Sequence, residues 1–72
     1  MAGKSTVQQA YDNGMIVGMA IACSTIQDAF DQPRMCAEVL NAAALNRRKM
    51  KRAGVDEYDL KILKPVFAEL KR

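Results

Sequence analysis

Apolar positions in the first part of the chain follow a three-and-four spacing that predicts a long helix from Thr6 to Phe30. Ser5 stands three residues before Gln8, the Ser-x-x-Gln form of a capping box, and no proline interrupts before Pro33. Val7, Tyr11, Gly14, Gly18, Ile21, Thr25 and Ala29 make one stripe. Met15, Met19, Ile26 and Phe30 make a second, and Ile16, Ala20 and Cys23 a third. From Gly14 to Cys23 every residue is apolar or small, so the middle of this helix is greasy on all sides. A helix apolar all round requires cover all round, and the remaining chain is too short to supply it.

Asp31-Gln32-Pro33 breaks the pattern, and Pro33 suits the first turn of a second helix. That helix is expected to run from 33 to 53, with Gly54 as its left-handed stop and Met35, Cys36, Val39, Leu40, Ala43 and Met50 on one inward face. The short connection predicts an antiparallel hairpin. A third helix is expected over 56–71, with Asp56, Glu57 and Asp59 favouring its positive end. Pro65 removes a backbone donor there and predicts a kink near Lys64. No strand signal, repeat or low-complexity segment is present. The expected fold is all-α: one helical domain over 1–72, a hairpin plus a shorter proline-kinked helix, dimerising into a bundle.

The small residues sharpen the dimer expectation. Ala10, Gly14, Gly18 and Ala22 recur every fourth position. A mid-helix glycine costs about 1 kcal/mol relative to alanine. Two of them therefore predict close approach of another backbone, of the small-xxx-small kind; the alternative is a kink. The expected interface is Ala10, Gly14, Gly18, Ile21 and Ala22, pairing two copies through the first helix with the third helices as covers.

Composition limits other sources of stability. The chain has 72 residues, two cysteines and no histidine. Cys23 and Cys36 alone cannot complete a tetrahedral zinc site, and they read as buried free thiols rather than an exported disulfide. Neither a metal nor a cofactor is expected. The absence of histidine and the apolar settings of both thiols argue against catalysis. Gly3-Lys4-Ser5-Thr6 looks like the end of a phosphate loop, but without a feeding strand and an earlier glycine it reads as a helix cap. The Ala20-Ile21-Ala22-Cys23 stretch is read as helix interior rather than an export signal, because Asp12 and Asn13 precede the apolar run. No membrane span is expected, and the expected location is cytoplasmic.

Charge is unevenly spread. Residues 1–46 set Lys4 and Arg34 against Asp12, Asp28, Asp31 and Glu38, a net of −2, whereas Arg47, Arg48, Lys49, Lys51 and Arg52 give +5 within 47–53. This arc has two readings: a polyanion-binding surface, nucleic acid included, or cations complementing a helix C-terminus. A helix-turn-helix around Gly54 is disfavoured because Asp56, Glu57 and Asp59 would meet phosphates. The expected function is a small non-enzymatic homo-oligomer acting as adaptor, inhibitor or regulator of a protein partner. Its candidate exposed anchors are Leu45, on the far side of the second helix, and Tyr58 or Phe67 if the third helix is mobile. The alternatives are nucleic-acid binding through 47–52 and a subunit of a larger helical assembly.

Overall fold

A computed structural model describes residues 6–70, which form five helices and no strand: α1 (Thr6–Phe30), α2 (Pro33–Ala42), α3 (Arg47–Ala53), α4 (Glu57–Ile62) and α5 (Lys64–Glu69). The fold is all-α. The expected Ser5 cap and the Gly3–Lys4–Ser5 stretch lie outside the described residues. The molecule is 41 Å along its longest axis and 15 Å along its shortest. At about 1.5 Å per residue, α1 accounts for most of that length.

Each helix ends where the backbone is turned by a specific residue. After Phe30, Asp31 adopts φ 50° and its N–H still donates to the Gln27 carbonyl at 2.9 Å. Asp tolerates this left-handed conformation better than most residues. Gln32 then precedes Pro33, which opens α2 at a position where its missing N–H is not needed.

The continuous helix expected over 33–53 is two helices. Ala44 adopts φ 57°, the Ala44 N–H donates to Asn41 O at 3.0 Å, and the Leu45 N–H reaches back to Leu40 O at 2.8 Å. This is a Schellman stop built on alanine instead of glycine. Its apolar clasp is Leu40 with Leu45, both buried. Asn46 then caps α3, its side chain accepting from the Lys49 N–H at 2.9 Å. The same stop recurs at the end of α3, where Gly54 has φ 104° and the Val55 N–H donates to Met50 O at 3.1 Å. Here Met50 and Val55 form the buried clasp.

Asp56 caps α4 through a 2.9 Å bond from the Asp59 N–H. Leu63 ends α4 and begins α5, with Pro65 in the first turn of the latter. The break falls beside Lys64 because the Pro65 ring crowds the carbonyl four residues earlier.

The core joins Ala20 and Cys23 of α1 to Cys36, Ala37 and Leu40 of α2, with Leu45, Met50, Val55, Leu60, Leu63 and Val66 completing it. Packing does not follow a simple hairpin: α2 lies chiefly against α5, while α1 lies chiefly against α3 and α4. The stop at Ala44 permits this, because α3 need not continue the line of α2. It also changes the inward face expected for the second helix. Cys36, Leu40 and Met50 are buried, but Met35, Val39 and Ala43 are exposed, and Ala37 takes their place.

On α1 the inward face is the third stripe, with Ala20 and Cys23 buried and Ile16 half-buried. Two polar residues join it. The Ser24 hydroxyl lies 2.9 Å from Asp59 Oδ1 on α4. The Gln27 side chain donates to Asp31 Oδ1 at 2.9 Å, while its buried Oε1 meets no donor among the described residues.

Candidate interaction surfaces

Because α3 and α4 cover only one side of α1, the opposite side is left in solvent. Val7 is 80% exposed, Tyr11 64%, Met15 55% and Ile21 49%. Ala10, Gly14, Gly18 and Ala22 lie exposed among them. All five residues expected at an oligomer interface thus fall on this one surface. A Cβ added at Gly14 or Gly18 would meet nothing within 4 Å. Among the described residues nothing therefore requires glycine at either position. A second exposed apolar group, Phe30, Met35 and Val39, lies on the end of α1 and on α2. Among the described residues no helix is long and apolar enough to cross a membrane.

The basic segment is placed differently from the single arc expected. All five cations are exposed, but the stop at Ala44 puts Arg47, Arg48 and Lys49 in the first turn of α3. Cations there oppose the helix dipole rather than complement it. Only Lys51 and Arg52 occupy the favourable last turn. Lys49 is diverted, its ammonium donating to the Ala44 carbonyl at 2.7 Å and so satisfying the end of α2. It also lines a cleft of about 500 Å³ with Asp12, Met15, Ile16, Met19 and Leu45.

The remaining four are joined by cations that the sequence pattern did not associate with them. Arg47 shares a cleft of about 460 Å³ with Lys61 of α4 and Lys64 of α5, together with Glu57, Leu60 and Phe67. Arg47 and Arg48 also line an adjoining hollow with Asn41 and Asn46. Among the described residues none of Arg47, Arg48, Lys51, Arg52, Lys61 and Lys64 forms an ion pair, whereas Arg34 lies 3.9 Å from Glu69. Lys61 and Lys64 were legible only as members of a charge-balanced segment; the turn at Gly54 brings them to Arg47.

Of the three expected anchors, Leu45 is buried as half of the α2 stop and offers nothing to a partner. Tyr58 is 69% exposed and Phe67 is half-buried in the basic cleft.

Cys23 and Cys36 are free, buried and adjacent, the Cys36 thiol donating to the Cys23 carbonyl at 3.5 Å. Burial pushes the Cys23 thiol up to about 11, with the neighbouring Cys36 adding to the effect. Burial also raises Cys36, against a lowering contribution from its bond with Cys23. Both groups are held as thiols at neutral pH, a poor state for nucleophilic attack. Among the described residues no three of Cys, Asp and Glu gather as metal ligands.

No protein-family model matches the chain, and neither a curated protein nor a solved structure does.

Proposed function

We propose that this chain is a non-enzymatic homo-oligomer, a dimer joined along α1, that binds another protein as an adaptor, inhibitor or regulator. The observation that carries the reading is the exposed apolar side of α1, with open space above Gly14 and Gly18. Burying it removes Tyr11, Ile21 and their exposed neighbours from water, and glycine lets the approaching backbone come close.

The row is also self-complementary. Read antiparallel about its centre, Ala10 faces Ala22 and Gly14 faces Gly18, so a two-fold axis presents the same patch from both copies. Tyr11 and Ile21 exchange places under the same operation. A second copy is thus the occupant that fits the row. The group at Phe30, Met35 and Val39 stays open for a protein partner, as does Tyr58. Two thiols left free rather than bridged fit a reducing, cytoplasmic setting.

Sedimentation equilibrium at micromolar concentration tests the reading. A dimer is expected, with Ile21→Lys returning it to a folded monomer. Species larger than the dimer favour the repeating helical assembly. A wild-type chain that remains a stable monomer rejects association along α1.

A further inference from the structure

The unpaired cations of α3, α4 and α5 make up a surface that association along α1 does not use. From this surface we infer that the chain binds single-stranded nucleic acid across the cleft between α3 and the α4–α5 break. The cleft, about 460 Å³, takes Arg47 from one side and Lys61 and Lys64 from the other. Lys51 follows Arg47 by one helical turn, and Arg52 follows Arg48. The cations thus continue beyond the cleft along α3, as a phosphate chain requires, instead of converging on one point. The fold accounts for only part of this arrangement: Lys51, Arg52 and Lys61 occupy last turns, where cations are favoured. Arg47 and Arg48 oppose the dipole of α3, and none of the six has an ion-pair partner among the described residues. A bound polyanion relieves both conditions.

The aromatic residues select the strand state. Tyr58 is 69% exposed and stands one turn before Lys61, while Phe67 lines the cleft. A flat, solvated ring beside unpaired cations is the pairing on which unstacked bases rest. A duplex has its bases already stacked. An acidic protein would neutralise the cations but leave Tyr58 without a base.

The test is fluorescence anisotropy of the full chain with a labelled oligothymidylate of about 12 nucleotides, within the usual site sizes. At about 50 mM salt binding is expected, weakening as salt rises with a log–log slope near −0.7 per phosphate contacted. The triple variant Arg47→Gln/Lys61→Gln/Lys64→Gln, with its helicity checked by circular dichroism, is expected to bind at least tenfold more weakly and with a flatter slope. Tyr58→Ala is expected to lose about tenfold, the scale of one base–aromatic stack. Lys49→Gln, whose ammonium serves the end of α2, should stay within about twofold of wild type. Absence of binding at low salt overturns the proposal. So does a triple variant that binds like wild type, or equal competition by a duplex or by polyglutamate. Ile21→Lys, the monomerising variant, should still bind, which separates failure here from failure of the α1 dimer.

Discussion

The Ser24 hydroxyl of α1 donates to the Asp59 carboxylate of α4 at 2.9 Å, a bond that ties residues far apart in the chain across the edge of the core. The hydroxyl also lies 3.1 Å from the Ile21 carbonyl. It has one proton, and the carboxylate is the stronger acceptor. Asp59 is held in place from its own backbone, whose N–H is capped by Asp56. Ser24→Ala therefore leaves a half-buried carboxylate short of a donor and is expected to destabilise the fold by about 1–2 kcal/mol. A double-mutant cycle with Asp59→Ala, read from urea midpoints, should return a coupling of about 1 kcal/mol. Additive effects would deny the bond an energetic role.

The two helix stops make opposite predictions from the same geometry. Ala44 is held at φ 57°, where a Cβ is strained by about 1–2 kcal/mol. Ala44→Gly removes that strain but gives the unfolded chain more freedom, worth about 0.4–1 kcal/mol. A net stabilisation of about 0.5–1 kcal/mol is expected from thermal or urea unfolding. Gly54, at φ 104°, already has the tolerant residue. Gly54→Ala should cost about 1–2 kcal/mol although its Cβ would meet no neighbour within 4 Å.

These stops also mark where the sequence was readable. Phe30, Gly54 and the break beside Lys64 were each legible, because Asp31-Gln32-Pro33, Gly54 and Pro65 restrict the backbone locally. The stop at Ala44 was not, since alanine is the strongest helix former and nothing local opposes it. It persists because Leu45 gains burial against Leu40 and Asn46 caps the next helix, the second being a signal present in the sequence. The stripes of α1 were legible, but not which stripe turns inward. Ser24 and Gln27 lie on the buried side, where a polarity pattern would not place them. The association of Lys61 and Lys64 with Arg47 depends on tertiary folding and had no local signature.

The thiols give a pH dependence. The Cys23 thiol is raised from 9.0 to about 11, chiefly by burial. Between these values the unfolded chain loses its thiol proton while the folded chain keeps it, so stability falls as pH rises. The contribution is fully present below pH 9.0 and is lost toward about 11. A shift of this size corresponds to about 3 kcal/mol. Urea unfolding at several pH values should show the decline, and Cys23→Ala should show a shallower one, since charges common to both proteins cancel in the comparison. Equal slopes would mean that water reaches the thiol in the folded chain.

Replacing Gly18 by alanine separates the two roles a mid-helix glycine can have. In a lone chain the added methyl meets nothing within 4 Å and the helix gains about 1 kcal/mol, so Gly18→Ala must stabilise. In an antiparallel pair Gly18 stands opposite Gly14 of the second copy, and the methyl separates two backbones that were in contact. The same substitution then weakens association, and the apparent stability becomes dependent on protein concentration in a way that differs from wild type. Thermal unfolding over a hundredfold range of concentration reads both terms. The expected result is a melting temperature that rises with concentration in the wild type, and a variant that is the more stable at the dilute end and loses that advantage at the concentrated end. Concentration-independent melting of both, with Gly18→Ala stabler throughout, would describe a monomer whose exposed α1 face serves some other purpose.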